Sequence, residues 1–160
     1  MTAIELLKQQ HREVEKLFEK IEQAEGDEKK SLADEISDKL AVHAAIEEQH
    51  FYPATKSART EDLLREAVEE HLSAKRLIAD LLDCQPDDDQ FDAKITVLKE
   101  QIGHHVQEEE GELFPKVQKL FSKDELEDLA VVMEDAAQEL EQGAPREKVP
   151  AETGAAAPID

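Results

Sequence analysis

Two stretches of this chain carry the same pattern. His43-Ala-Ala-Ile-Glu47-Glu48-Gln-His-Phe51-Tyr52-Pro53 and His105-Val-Gln-Glu-Glu109-Glu110-Gly-Glu-Leu113-Phe114-Pro115 lie 62 positions apart. Each reads histidine, three residues, two glutamates, two residues, an apolar residue, an aromatic and proline. Upstream of each copy stands one more histidine, His11 and His71, and these two are 60 positions apart. The chain is thus two copies of a helix pair, and such pairs packed antiparallel form a bundle with an approximate two-fold axis.

The surrounding sequence is helical. Glu, Lys, Leu, Ala and Gln dominate, all good helix formers. Helix A is predicted from about Ala3 to Ala24, opened by a Thr2/Glu5 capping box and ended by Gly26. Helix B runs from about Ser31 to Ala54. Helix C follows Thr60, which can cap it, and reaches about Asp83. Gln85-Pro-Asp-Asp-Asp makes a turn and the acidic start of helix D, which suits the positive end of a helix dipole and continues to about Phe121. Ser122 and Glu125 open helix E, which Gly143 closes. The expected fold class is all-α: an up-down-up-down antiparallel four-helix bundle over 1–121, with an additional C-terminal helix over 122–143. Residues 144–160, with three prolines and no apolar period, are expected to form a disordered tail.

The placement of polar residues on these helices points to chemistry. On helix A the apolar seam is Ile4, Leu7, Val14, Phe18 and Ile21, and His11 takes one of its places. His43 and Glu47 continue the seam of Ile36 and Leu40. His71 falls among Leu64, Val68, Ile78 and Leu82. His105 and Glu109 fall among Ile95, Leu98, Ile102 and Leu113. Burying such groups without partners costs roughly 2–7 kcal/mol each when neutral, and more when charged. A domain stable by about 5–15 kcal/mol cannot carry six of them uncompensated. Residues at i and i+4 share a helix face, so His43 with Glu47 and His105 with Glu109 can each converge on one point. Four imidazoles and two carboxylates suit Fe, Mn or Zn, and are too many for one tetrahedral zinc. Two ions, each with two histidines and both bridged by the carboxylates, use all six. Without a metal, the same groups would form an imidazolium–carboxylate network.

Composition limits the alternatives. Nineteen Lys and Arg against 40 Asp and Glu give a net charge of −21. That charge argues against binding nucleic acid or an anionic membrane through a basic face. It also makes copies repel one another, so a monomer or weak homo-oligomer is expected. One cysteine, Cys84, suits a reducing compartment. No apolar run approaches the roughly 20 residues of a membrane span, and no signal peptide is visible, so a cytoplasmic protein is expected. A ferritin-like centre needs two Glu-x-x-His pairs on different helices. Only Glu47-x-x-His50 fits here.

On His11, His43-x3-Glu47, His71 and His105-x3-Glu109, the sequence resembles the hemerythrin-like HHE cation-binding domain family over about residues 3 to 121. The resemblance implies a non-haem di-iron centre with an oxo or hydroxo bridge that binds O2 or a related small molecule. It implies that His11 and His43 serve one iron, His71 and His105 the other, and that Glu47 and Glu109 bridge. Mn or Zn are the alternatives to iron. The expected ligand is a small diatomic molecule or peroxide, and the alternative function is a di-iron enzyme that decomposes peroxide or performs another oxidation. Oxygen carriers of this family have two histidines one turn apart on the third helix. Here Ala67 and Lys75 flank His71 at that spacing, so one histidine is missing. The last carboxylate also follows its histidine by four residues rather than five, which makes His104 a rival to His105. His105 is favoured because it lies on the seam and matches the repeat.

Other residues receive quieter roles. Tyr52 aligns with Phe114 and is expected to pack, with a phenolate ligand as the alternative. Pro53 and Pro115 are expected to kink or end their helices near the site. Glu15 is assigned to the rim or to a contact behind the ligands, His50 to such a contact or to packing at a helix end, and the Glu/Asp runs to solvated faces.

Overall fold

The computed structural model describes residues 1–159 and shows a helical bundle without strands among them. Helix α1 spans Ala3–Gln23 and α2 spans Gly26–Ile46. A five-residue π-helical turn, Glu47–Phe51, leads into α3, Tyr52–Thr55. Helix α4 is Glu61–Leu82 and α5 is Phe91–Glu108. A second π-helical turn, Glu109–Leu113, leads into α6, Phe114–Leu120. Helix α7 is Lys123–Gln142, followed by α8, Pro145–Lys148, and a 3-10 turn, Val149–Glu152. The four long rods of the bundle are α1, α2–α3, α4 and α5–α6, and α7 packs across α1 and α2. No helix is long and apolar enough to cross a membrane.

The helix ends follow local chemistry. The Thr2 hydroxyl accepts from the Glu5 N–H at 3.2 Å, and the Glu5 carboxylate accepts from the Thr2 N–H at 2.9 Å. The second box forms only by half. Ser122 accepts from the Glu125 N–H at 3.1 Å, but its hydroxyl, not its backbone N–H, donates to the Glu125 carboxylate. Gly26, at φ 58°, reverses the chain so tightly that α2 begins there rather than at Ser31. Thr60 does not cap α4 with its side chain. Its hydroxyl donates to the Thr55 carbonyl at 2.8 Å and accepts from the Ser57 N–H at 2.9 Å, tying the turn between α3 and α4. Asp88 likewise holds the turn before α5, accepting from the Gln85 N–H at 3.0 Å, so the helix starts only at Phe91.

The prolines neither end nor break their helices. Proline has no N–H for the carbonyl four residues back, and its ring crowds that carbonyl. Before each proline the helix widens, so that the Tyr52 N–H reaches the Glu47 carbonyl and the Phe114 N–H reaches the Glu109 carbonyl. Positions five apart on a regular helix point about 140° away from each other. The wide turn absorbs that rotation, so Glu47 and Tyr52, and likewise Glu109 and Phe114, all point inward.

The core is divided. One apolar cluster contains Ile4, Leu7, Ile46, Phe51, Leu64, Val68, Leu113 and Met133. The other contains Val14, Phe18, Ile21, Ile36, Ile78, Leu81, Phe91 and Leu98. His11, His43, His71 and His105 fall between them on all four rods.

The expected disordered tail is instead docked. Arg146 pairs with Asp38 at 2.8 Å, Val149 is buried, and Ala156, Ala157 and Ile159 pack on the first cluster. Glu152 meets Lys75 at 3.0 Å and the Thr153 carbonyl accepts from Arg76. The segment has no period because it docks as a strap of short elements, α8 on α2 and the 3-10 turn on α4, rather than as one helix face. Asp160 lies outside the described residues.

Candidate metal centre

All six residues picked from the sequence are buried and close together. His11, His43 and Glu109 form one group with ligand-capable atoms within 4.8 Å of one another, and Glu47, His71 and His105 form a second. His11 Nε2 lies 3.1 Å from Glu109 Oε1, and His43 Nε2 lies 3.2 Å from Glu47 Oε1. His71 Nε2 lies 3.0 Å from Glu47 Oε1, and His105 Nε2 lies 3.3 Å from Glu109 Oε2. Each carboxylate therefore faces histidines of both pairs. His105 is inside the cluster. His104, the rival, points outward with its side chain 64 % exposed. His50 takes no part in the cluster, and Glu15 is on the rim, paired with Arg12.

All four imidazoles present Nε2 to this centre because Nδ1 is engaged elsewhere. His11 Nδ1 lies 2.6 Å from Glu110, His43 Nδ1 2.7 Å from Gln10, His71 Nδ1 2.7 Å from Glu48, and His105 Nδ1 2.8 Å from Glu70. Such partners fix the ring and its tautomer, and they raise the basicity of the nitrogen that faces inward. Arg12 backs Glu110, and Lys75 backs Glu48 at 3.0 Å. Reading Glu48 and Glu110 as part of a solvated face missed this role. The signal was present: both are the second acid of the repeat, and Gln10 and Glu70 share the 60-position spacing of His11 and His71.

The aromatics complete the layer. Phe114 stacks on His11 with ring centroids 6.0 Å apart, and Tyr52 stacks on His71 at 5.6 Å. Tyr52 does more than pack, because its hydroxyl donates to Glu109 Oε2 at 2.7 Å. Burial and the charges of Glu109 and Glu47 push its pKa well above 10, which keeps the proton on the phenol.

Electrostatics in the metal-free cluster favour charged pairs. Burial opposes charge on His43, but Glu47 and Glu109 outweigh it and raise the imidazole to about 9. Burial and Glu109 both oppose charge on Glu47, yet His43 and His105 hold it down at about 2. His105 is raised, and Glu109 lowered, by the same opposition of burial and partner charge.

A cation fits this donor set. His43 Nε2, which faces the centre, and Glu47 Oε2 are both buried without a hydrogen-bond partner. Converging carboxylates and imidazole nitrogens, the latter binding in their deprotonated form, are what a borderline-to-hard cation requires.

Comparison with known proteins agrees with this geometry. The model of the hemerythrin HHE cation-binding domain family matches residues 2–117. The chain belongs to that family. Its fold matches the crystal structure of a hemerythrin HHE cation binding domain-containing protein, the Rv2633c homolog from Mycobacterium kansasii, with a TM-score of 0.80 and 25 % identity. That match covers 96 % of this chain and 94 % of the other. A DNA nickase from Nostoc sp. (strain PCC 7120 / SAG 25.82 / UTEX 2576) is 25 % identical over 143 residues, covering 89 % of this chain. This chain spans only 41 % of the nickase's length.

The nickase overturns the expectation that a chain of this kind has no nucleic-acid partner. Net charge is a sum over the whole surface. It does not describe one contact face, nor the remaining length of a longer protein that carries the same domain.

Proposed function

We propose that this chain is a non-haem di-iron protein that binds O2 or a related small molecule. In this reading His11 and His43 hold one iron, His71 and His105 hold the second, and Glu47 and Glu109 bridge them. The observation that carries it is the shared orientation of four imidazoles, each with Nδ1 engaged by an acceptor and Nε2 turned toward two buried carboxylates. Two bound irons would supply electron exchange with a small oxidant. Manganese or zinc would fit the same donor types, but redox work favours iron.

The chain's own residues suit a small ligand. A largely apolar cavity of about 40 Å³ lies against the four histidines, with Val14 and Leu40 among its walls. It exceeds the space of a single water and suits a dioxygen-sized molecule. Phe114 and Phe51 shield the centre from the opposite end. Tyr52 keeps its phenolic proton and donates it in a hydrogen bond to Glu109 Oε2, the oxygen that also faces His105, which holds that carboxylate in place.

Peroxide decomposition is the second reading. It is favoured by Ala67 and Lys75, which stand where carriers of this family have another histidine, so the protein offers fewer ligands.

Metal analysis joined to anaerobic reduction and exposure to O2 or peroxide tests both. The wild type should hold two irons per chain, and His43→Ala or Glu109→Ala should hold fewer. Two irons retained in either variant would contradict the assignment. A reversible oxygenated spectrum supports binding, and rapid O2 release from peroxide supports the enzyme.

A further inference from the structure

A third group of metal-capable side chains lies outside the buried centre. His104 and Glu108 stand one turn apart on α5, and Glu70 faces them from α4, with ligand-capable atoms within 4.8 Å of one another. His104 Nε2 is 2.8 Å from Glu108 Oε1 and 3.6 Å from Glu70 Oε2. The three side chains are 64 %, 30 % and 23 % exposed, so an ion could reach them from solvent.

Three further observations set this group apart from ordinary surface polarity. Glu70 is shared: its Oε1 lies 2.8 Å from His105 Nδ1, while its Oε2 faces His104. A small cavity of about 10 Å³ lies beside the group, lined by Glu70, Glu108, Ala67 and the buried Glu109. Lastly, Glu48 and Glu110, which support the other histidines, are backed by Lys75 and Arg12. Among the described residues, Glu70 and Glu108 have no Lys or Arg within ion-pair distance. Two adjacent carboxylates with no permanent cation favour a divalent ion between them.

The repeat sharpens the point. The corresponding positions in the first half are Gln10, Val42 and Ile46. Val42 and Ile46 are buried, and α7 packs on that face of the bundle. On the second half the face is open and carries an imidazole and two acids instead.

We infer that Glu70, His104 and Glu108 form a loading site that captures a first-row divalent cation and passes it inward along Glu70 and Glu109. The donor set, one imidazole and two carboxylates completed by water, suits Mn²⁺, Fe²⁺, Co²⁺ or Zn²⁺ better than Ca²⁺ or Mg²⁺. The inward transfer rests on the di-iron reading above, whereas capture at the surface does not.

Mn²⁺ added to the iron-loaded chain, with free ion counted by electron paramagnetic resonance, tests capture. One further ion per chain should bind, and His104→Ala and Glu108→Gln should each weaken it by at least about tenfold without loss of iron. An iron-loaded wild type that takes up no Mn²⁺, or a His104→Ala variant that binds it equally well, overturns the site. Transfer is read from the rate of Fe²⁺ uptake by the metal-free chain. His104→Ala should slow uptake several-fold while the final iron content stays at the wild-type value, and an unchanged rate overturns the route. A wild type that takes up no iron at all would instead mark failure of the di-iron reading, and capture would then be judged by the His104-dependence of Mn²⁺ binding to the metal-free chain.

Discussion

Metal-free protein exposes the charge state of the buried cluster to a direct measurement. His43 holds its proton to about pH 9 in the folded chain and to 6.5 otherwise. Below pH 6.5 it is protonated folded or unfolded, and the full stabilisation of its pairing with Glu47 and Glu109 is present. That stabilisation is lost as the pH rises from 6.5 through about 9. Glu47 behaves oppositely, because its folded value is about 2 against an ordinary 4.5. Its contribution is present above pH 4.5 and disappears as the pH falls toward 2. Metal-free protein should therefore be most stable between about pH 4.5 and 6.5. At about 1.4 kcal/mol per pH unit, the His43 interval bounds the alkaline loss at roughly 3 kcal/mol. The acid loss describes much of the same pairing seen from its other partner, so the two are not added. His71 and His105 are raised as well and steepen the alkaline limb. Urea unfolding of chelator-treated protein across this range, followed by circular dichroism, gives the curve. A stability that is flat or rising from pH 6.5 to 9 would refute the charged network. In metal-loaded protein the trend should reverse, because the ion needs deprotonated imidazoles and its binding energy grows with pH.

Two further predictions concern the parts that support the centre. Truncation after Gly143 removes the buried Val149 and the Arg146–Asp38 pair. It should cost at least about 2 kcal/mol, a fall in Tm of roughly 4–8 °C, and an unchanged thermal melt would contradict a docked strap. Glu48→Gln keeps an acceptor for His71 Nδ1 but removes the charge that Lys75 backs. Metal retention in competition with a chelator should weaken by about 10–100-fold, and equal retention would show that the carboxylate's charge does not tune the ligand.

The rods and the six central side chains were legible because both obey the helical period. Ile4, Leu7, His11, Val14 and Phe18 form one stripe whether or not a metal is in mind. Their burial follows from the same spacing that marked them. The wide turns were not legible, because inserting the equivalent of one residue breaks the period where Pro53 and Pro115 suggest a kink or a helix end. Without that turn Tyr52 would point away from Glu109, and its hydrogen bond could not be anticipated. The strap was hidden for a different reason: Arg146 pairs with Asp38 on α2, the Val149–Glu152 turn packs on α4 and Ile159 joins the first cluster, which leaves no single period to read. His104 was weighed as a competitor of His105 for one position, although adjacent helix residues point about 100° apart and could serve two.

The same repeat that announced the site also shows that its halves are not copies. Gln10 stands opposite Glu70, Phe114 opposite Tyr52, and Glu15 opposite Lys75. His71 and His105 are therefore supported by two carboxylates, Glu48 and Glu70, with a phenol stacked on one ring. His11 and His43 are supported by one carboxylate and one amide, with a phenyl ring in the phenol's place. A carboxylate partner makes an imidazole a stronger donor than an amide partner does. The His71/His105 side is consequently the more electron-rich half, and an ion bound there would be stabilised more strongly as its charge increases. That imbalance arises from differences around a duplicated frame, which keeps the histidine–carboxylate geometry while making the two halves chemically distinct.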